Sequence, residues 1–372
     1  MPAFYEFFAG GGMVRQALQP GWTCLWASDV DPKKARAYRD NWGAAEFSLR
    51  DVRRVRASEL PGRADLAWGS FPCQDLSLAG LGAGLAGARS GTFGAFWAVI
   101  DALAEDGRAP PVVAVENVCG TLTSRGGGDF STILRAFAER GYRAGALVID
   151  AARFGPQSRP RLFVIGVRGA VSEALLDQPG AFHPPALRRA VAQAGAPHLW
   201  WRLPEPDQAP RTLESVLEDP PTGVRWHRPE ETARLLSLMT PVNLEKVAAA
   251  RRAGGRSIGF VYRRTRPDAA GASRQRAEVR FDGRAGCLRT PAGGSSRQVV
   301  MLVEDGVVRT RLLSPREAAA LMGLPPAYRL PENYNDAYHL LGDGVVAPVV
   351  AHLARHLLEP LLKSLFHDRR AA

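Results

Sequence analysis

The 372-residue sequence predicts an α/β protein, a mostly parallel sheet with helices on both faces, joined to a smaller, irregular second region. Three observations predict it. Short apolar runs of strand length alternate with helical segments between residues 4 and 167. Nearly every run ends in glycine, an acid or a proline-containing polar loop, the places where a parallel sheet presents its functional groups. Beyond about residue 170 the alternation stops, and prolines and arginines become frequent.

Residues 4–8 (Phe-Tyr-Glu-Phe-Phe) read as a buried strand, Ala9-Gly10-Gly11-Gly12 as a turn, and Met13–Leu18 as the start of a helix. Glycine lets a ligand approach the backbone, and the N–H groups opening a helix favour an anion. A tight strand-to-helix turn without ligand has the same pattern, because the spacing stops short of Gly-x-Gly-x-x-Gly. A second strand, Cys24–Ser28, ends in Asp29-Val30-Asp31, and Pro32 opens a helix to Asn41. An acid at this point of a dinucleotide-type sheet binds a ribose hydroxyl pair. Asp29 and Asp31 both qualify, and either can instead cap the helix. A third short element, Phe47–Leu49, precedes Asp51.

Residues 65–68 form the next strand, leading into Phe71-Pro72-Cys73-Gln74. Gly80–Gly94 holds six glycines in fifteen residues, with Arg89 among them, the composition of a lid or of a plain surface loop. A helix is expected over 92–104, a strand over 112–115 ending in Glu116-Asn117-Val118, a helix over 131–140 and a strand over 146–149. Gly155-Pro156-Gln157-Ser158-Arg159-Pro160-Arg161 then precedes the strand 162–167. In the irregular region, the glycine-rich loop 293–298 precedes a strand at 299–303. Ser314-Pro315-Arg316-Glu317 is a capping box with proline at the first helical position, and Gly323 ends that helix. Gly342-Asp343-Gly344 leads into a long apolar helix, expected over 345–362 and suited to pack back on the first sheet.

Composition narrows the class. Hydrophobic residues at 46% and charged residues at 23% are ordinary for a globular protein. No apolar run approaches the roughly 18 residues of a membrane span, and the N-terminus lacks a basic leader. Four scattered cysteines without a Cys-x-x-Cys pair argue against a disulfide framework and against zinc, and for a reducing cytoplasm. His352 and His356 lie four apart on an expected helix, but no other candidate ligand clusters with them in sequence, so a helix face is the preferred reading. The formal charge is +11, and Arg251–Arg316 alone holds fifteen arginines against five acids, a net of +10. A block of this kind implies a polyanionic partner, most often nucleic acid. Compositional bias accounts for arginine over lysine, of which there are only four, but not for the clustering.

Cys73, Glu116 and the pair Arg159/Arg161 follow three different strands, and in an open parallel sheet such ends converge on one crevice. A thiolate stabilised by arginines, beside an acid whose pKa burial can raise, suits covalent activation of an electrophilic ring. At these residues the sequence resembles the C5-cytosine-specific DNA methyltransferase family of bacterial or phage type. The motifs are Phe8-Ala9-Gly10-Gly11-Gly12, Phe71-Pro72-Cys73-Gln74, Glu116-Asn117-Val118, Gln157-Ser158-Arg159-Pro160-Arg161, Leu313-Ser314-Pro315-Arg316-Glu317 with Gly323-Leu324-Pro325, and Gly342-Asp343-Gly344-Val345. They run from residue 4 to about 360 in the family's order. The sequence departs from the pattern at Met13 (usually glycine), at Asp343 (usually asparagine) and in the shortened Gly155-Pro156-Gln157.

The resemblance implies a Rossmann-like class I methyltransferase sheet at 1–172, a target-recognition domain at 173–310, a return to the catalytic domain at 311–366 and a tail at 367–372. It implies S-adenosylmethionine as cofactor, no metal, double-stranded DNA as partner, a monomer, and a cognate restriction endonuclease that need not bind the chain. Cys73 is then the nucleophile at cytosine C6, Glu116 the group on N3 and the exocyclic amine, and Arg161 with Arg159 the pair on the ring carbonyl. The cofactor residues implied are Phe8, Ala9, Gly10, Gly12, Asp29 (ribose), Val30, Asp51 (adenine amine), Val52, Pro72, Asp343 and Val345. The DNA-contacting residues implied are Gln74, Ser77, Arg89, Gln157, Thr290, Arg297 and Gln298; arginine reads guanine edges and glutamine adenine edges, and a phosphate contact or a plain surface position is the alternative for the last two. A tRNA cytosine methyltransferase on the same scaffold and a non-catalytic DNA-binding relative are the competing functions. The arginine block favours DNA over tRNA, and the presence of both Cys73 and Glu116 speaks against a non-catalytic relative.

Overall fold

The computed structural model describes residues 1–71, 91–267, 271–290 and 297–371. Pro72, Cys73, Gln74, Ser77 and Arg89 lie outside the described residues. The chain divides into two compact units, one of Met1–Asp150, Pro160–Pro206 and Ala347–Ala372, the other of Ala151–Arg159 and Asp207–Val346.

The first unit is a seven-stranded sheet. Its strands are β1 (Ala3–Phe7), β2 (Thr23–Asp29), β3 (Phe47–Leu49), β4 (Leu66–Gly69), β5 (Val112–Val118), β6 (Arg143–Asp150) and β7 (Pro160–Val167). They lie in the order β3-β2-β1-β4-β5-β7-β6. All neighbours pair in parallel except β7, which is antiparallel to both β5 and β6. That reversal brings the start of β7, with Arg161, beside the end of β5, where Val118 pairs with it.

Alternation along β1 shows how both faces are covered. Tyr5 and Phe7 join one core with Phe96 and Trp97 of α3 (Thr92–Glu105), Phe130 and Phe137 of α4 (Gly128–Ala138) and Leu187 of α5 (Pro185–Ala194). Aromatic edges meet there, Phe7 against Phe96 at 5.0 Å and Trp97 against Phe137 at 4.8 Å. Glu6 points to the opposite face, towards α1 (Met13–Leu18), where α2 (Pro32–Trp42) also lies through the Arg15–Tyr38 hydrogen bond of 3.0 Å. Met13, where the family pattern has glycine, is the first residue of α1 and is buried.

The expected apolar helix over 345–362 is instead α10 (Ala347–Leu353), a π turn at Ala354–Leu358 and α11 (Glu359–Ala371), which carries residues 367–371 in helix rather than in a tail. By length and composition the stretch Tyr334–Leu365 could cross a membrane, but 61% of its apolar window is buried. It is also interrupted at 344–346.

The second unit is more regular than its sequence suggests. Helices α6 (Pro229–Ser237) and α7 (Pro241–Ala253) pack on a four-stranded antiparallel sheet in the order β11-β10-β8-β9, built from β8 (Arg256–Pro267), β9 (Ser273–Arg280), β10 (Val299–Glu304) and β11 (Val307–Leu312). Val261, Ala277, Val279, Met301 and Val303 form its core. The helices α8 (Pro315–Leu321) and α9 (Tyr334–Asp343) complete the unit, and Ser314 caps α8 through the expected capping box.

Candidate active site

The turn after β1 is shaped from outside itself. Ala9 N–H donates to Ser28 O at 2.8 Å, and Gly10 N–H to Asp29 Oδ2 at 2.9 Å. Asp29 Oδ1 also accepts from Asp31 N–H at 2.9 Å, so this buried carboxylate at the end of β2 holds the turn's form. Asp31 takes the capping role instead, accepting from Lys33 N–H at 2.8 Å and Lys34 N–H at 3.3 Å. Phe8 (φ 60°), Gly10 (φ 55°) and Gly12 (φ 77°) are all left-handed. Phe8 adopts this conformation without being glycine, local strain of the sort that gathers at functional turns. A Cβ on Gly12 would lie 2.4 Å from Trp42 Nε1, whereas one on Gly10 would meet no atom of the described residues within 4 Å, so among those residues the space over Gly10 is open.

Beyond the ends of β2 and β3 lies a cavity of about 940 Å³ lined by Val30, Leu49, Asp51, Arg54 and Arg56 among others. Val30 is 65% exposed and Leu49 44%, so two apolar side chains stand ready to take a flat ligand. Asp51 accepts from Arg53 N–H at 2.9 Å, and the hydrogen-bonded Arg53 guanidinium holds its carboxyl below the ordinary range. Val52 behind it is buried.

Sequence reading missed Glu6. It sits wholly buried under the same turn, accepting from the backbone of Arg15 and Val14, and burial pushes its pKa up to about 8 against the pull of Arg15. One carboxyl oxygen, Oε2, has no hydrogen-bond partner among the described residues. The signal was an acid inside an otherwise apolar strand.

At the other end of the edge, Arg161 Nε lies 3.2 Å from Glu116 Oε1, their side chains only 16% and 9% exposed. Asn117, also unassigned from sequence, donates from Nδ2 to Phe71 O at 3.4 Å, while its Oδ1 accepts from Val118 N–H at 2.8 Å. Phe71 packs on Phe93 at 5.0 Å. The residue that introduces Pro72-Cys73 is thereby fixed to the strand bearing Glu116. Two other thiols are poor nucleophiles: burial pushes Cys24 up to about 12 and, against the opposing charge of Arg161, Cys119 up to about 11.

Three expected ligand contacts prove to be committed within the protein. Arg159 is 2% exposed, and its guanidinium donates to Leu288 O (2.8 Å), Gly342 O (2.7 Å), Gly344 O (2.7 Å) and Cys287 Sγ (3.2 Å). It laces together the segments 287–288 and 342–344, rather than offering its fork to a substrate carbonyl. Gln157 is 1% exposed, with its amide nitrogen on Leu321 O at 3.0 Å and its oxygen taking Leu288 N–H at 3.3 Å. Gln298 is 4% exposed, and both amide atoms close on the backbone of Gly286. Burial of a polar group demands such partners, and each amide is buried with donor and acceptor already engaged by the protein. Arg297 bonds Asn335 and lies over Tyr334 at 5.4 Å, Thr290 bonds the carboxylate of Asp343, and Val345 is buried.

Among the described residues no three histidine, cysteine or acidic side chains are grouped to hold a metal. The rings of His352 and His356 meet at 4.4 Å, tilted by 43°, and His352 donates to Pro204 O at 2.8 Å.

Comparison with known proteins places the chain in a family and a fold. The family model described as C-5 cytosine-specific DNA methylase matches residues 3–359. The Type II methyltransferase M.MspI of Moraxella sp is 24% identical over 356 residues, covering 95% of this chain and 70% of that protein. M.NlaX of Neisseria lactamica is 24% identical, covering 98% of each. In fold, the chain is similar to the Entamoeba histolytica methyltransferase EhMeth (TM-score 0.66, 14% identity, 97% of this chain and 99% of that one). It is also similar to the Dnmt2 methyltransferase of S. pombe (TM-score 0.58, 18% identity, the same shares).

Proposed function

The chain belongs to the C-5 cytosine-specific DNA methylase family and is a cytosine-5 DNA methyltransferase, and from that premise we propose that it methylates a flipped-out cytosine through a transient Cys73–C6 bond. The observation that carries this reading is the 3.2 Å pairing of Arg161, on β7, with Glu116, on the strand β5 whose Asn117 tethers Phe71 at the stem of the Pro72-Cys73 loop.

The open space over Gly10, the backbone N–H groups entering α1 and the apolar-walled cavity beside Asp51 fit S-adenosylmethionine. When bound, that cofactor supplies an electrophilic methyl group. Asp29 acts by holding the turn and offers its remaining lone pairs to the ribose, Val30 stacks on the adenine, and Asp51 meets its amine. Phe8, Ala9 and Gly12 line the amino-acid end, and the family resemblance adds Pro72, Asp343 and Val345 to the cofactor residues. Asp343, bonded to Thr290, turns its negative charge to the ammonium rather than the carboxylate.

The target base must leave the stack to reach Cys73. The thiolate adds to C6, and Glu116 hydrogen-bonds N3 and the exocyclic amine as electron density moves towards C5. Arg161 orients Glu116 and donates to the ring carbonyl, preorganised charge that is worth most in a site closed to water. After methyl transfer, loss of the C5 proton returns the electron pair to the ring and expels the thiolate. Arg159, Gln157 and Gln298 act as scaffold within the second unit. Gln74, Ser77, Arg89 and Thr290 contact the duplex, and residues 173–310 supply target recognition. The enzyme works as a cytoplasmic monomer, alongside a cognate restriction endonuclease that need not bind it.

Purified protein with cofactor and duplex DNA should produce 5-methylcytosine, and Cys73→Ala should abolish it. Methylation surviving that change sinks the mechanism. Faster transfer to tRNA than to duplex DNA would move the substrate assignment to the competing enzyme.

A further inference from the structure

The glycine turn after β1 is held by a side chain from another element. Phe8, Gly10 and Gly12 are all left-handed, and such a backbone persists only where its surroundings determine it. One set of constraints comes from β2, through Ser28 O and Asp29 Oδ2. A second comes from α2. Trp42 is the last residue of that helix, which stops at Gly43 (φ 82°). Its indole Nε1–H donates to Gly11 O at 3.1 Å. On the other side of the same peptide, Gly12 N–H donates to Ala9 O at 2.8 Å. A planar trans peptide points its C=O and N–H in opposite directions, so the two bonds together fix the plane of the Gly11–Gly12 peptide. Gly12 O in turn accepts from Gln16 N–H at 2.9 Å, which opens the hydrogen-bond ladder of α1.

The indole is itself clamped. The guanidinium of Arg15, on α1, lies 5.3 Å from the centre of the Trp42 ring, a cation–π contact. Arg15 Nη1 donates to Tyr38 Oη at 3.0 Å and to Glu46 Oε2 at 3.2 Å, so the guanidinium is fixed from both sides of α2. Tyr38, one turn before Trp42, is wholly buried. A Cβ on Gly12 would come within 2.8 Å of Trp42 Cδ1 and 2.9 Å of Tyr38 Cε2, so both rings press on the turn and only glycine at this position admits them.

We propose that Trp42 is a positioning residue for S-adenosylmethionine. Its indole N–H, clamped by Arg15, holds the Gly11–Gly12 peptide in the orientation that receives the amino-acid end of the cofactor. It acts through the turn rather than on the reacting atoms. The route is pre-organisation: a turn that populates the receptive form only part of the time binds with an affinity reduced by that fraction. Losing one hydrogen bond of this kind shifts such a population by about three- to tenfold. This role presupposes S-adenosylmethionine as the cofactor, and its test separates the two.

The full-length protein is compared with Trp42→Phe, which keeps an aromatic ring for Arg15 to cover and removes the donor. Calorimetric titration without DNA reads S-adenosylmethionine, its demethylated product S-adenosylhomocysteine, and adenosine. The first two should bind about three- to tenfold more weakly to the variant. Adenosine, which has no amino-acid end, should bind both proteins equally. KM for S-adenosylmethionine should rise by the same factor, while kcat at saturating cofactor and the affinity for duplex DNA hold. Arg15→Lys leaves the donor in place but removes the flat group over it, and should show the same pattern with a smaller loss. Unchanged cofactor affinity in Trp42→Phe overturns the proposal. So does an equal loss for adenosine, or a kcat that falls in step with the thermal melt, either of which makes Trp42 a packing residue. Should Trp42→Phe melt well below the parent, Arg15→Lys carries the test, and parental affinity there overturns the clamp. A parent protein that binds none of the three ligands would instead overturn the cofactor reading on which the role depends.

Discussion

Arg311 and Glu317 form the buried ion pair on which the N-terminus of α8 depends, and removing the arginine is the sharpest structural perturbation available. Both are almost wholly inaccessible, at 2% and 0%. The carboxylate receives Arg311 Nη1 at 2.7 Å and Nη2 at 2.6 Å, together with the backbone N–H groups of Ser314 and Glu218, each at 2.8 Å. Four donors fill the lone-pair positions of one carboxylate. Arg311→Met keeps the volume and the apolar stem but strands a buried charge on two neutral donors. Breaking one side of a buried pair costs about 3–5 kcal/mol, a factor of about a hundred to a few thousand in the local folding constant. The assay is hydrogen exchange over Leu313–Met322, with denaturant unfolding alongside. The double variant Arg311→Met/Glu317→Leu should recover most of the loss, because an apolar pair replaces an ionic one nearly evenly. A change below about 1 kcal/mol in the single variant, or strict additivity in the double, would refute the reasoning.

Arg161→Ala should lower kcat by about a hundredfold to a thousandfold while DNA binding holds, and Arg161→Lys should recover only part, since an ammonium lacks the fork; single-turnover kinetics with a separate binding titration checks both. Gly12→Ala should cost about 1–3 kcal/mol and weaken cofactor binding, because its Cβ falls 2.4 Å from Trp42 Nε1 at a φ of 77°; thermal melting and calorimetric titration read the two effects. Glu6 titrates near 8 in the fold against an ordinary value of 4.5, so its stabilising share is complete below about 4.5 and is lost as pH rises through about 8. Denaturant midpoints should therefore fall across that window in the parent and fall less in Glu6→Gln, and equal slopes would count against a buried neutral acid.

The first unit was legible because its physics is local. Apolar runs bounded by glycine, acid and proline located all seven strands of the sheet, and the ends of those strands held the groups that matter. β7 is where topology entered: only its antiparallel pairing sets Arg161 beside Glu116. The second unit was legible only in part: β10 and the capped helix α8 lie where expected, whereas β8 and β9, beyond Phe260, Val261, Ala277 and Val279, carry exposed arginines with no apolar alternation to announce a strand. Gln157, Arg159 and Gln298 show a different limit. Their residue types suit ligands, and nothing in the sequence tells that their donors and acceptors are consumed by carbonyls and amides more than ten residues away. Asn117 and Glu6 are the converse, support residues whose work appears only when neighbouring segments come together.

The central claim concerns one bond. Duplex DNA carrying 5-fluorocytosine at the target position cannot lose a proton from C5 after methyl transfer. Incubated with the protein and S-adenosylmethionine, it should give a covalent protein–DNA complex stable to denaturing electrophoresis, with the adduct mapped by mass spectrometry to Cys73 and absent from Cys73→Ala. A protein that methylates unmodified duplex yet forms no such complex, or forms it equally well without Cys73, would contradict the account.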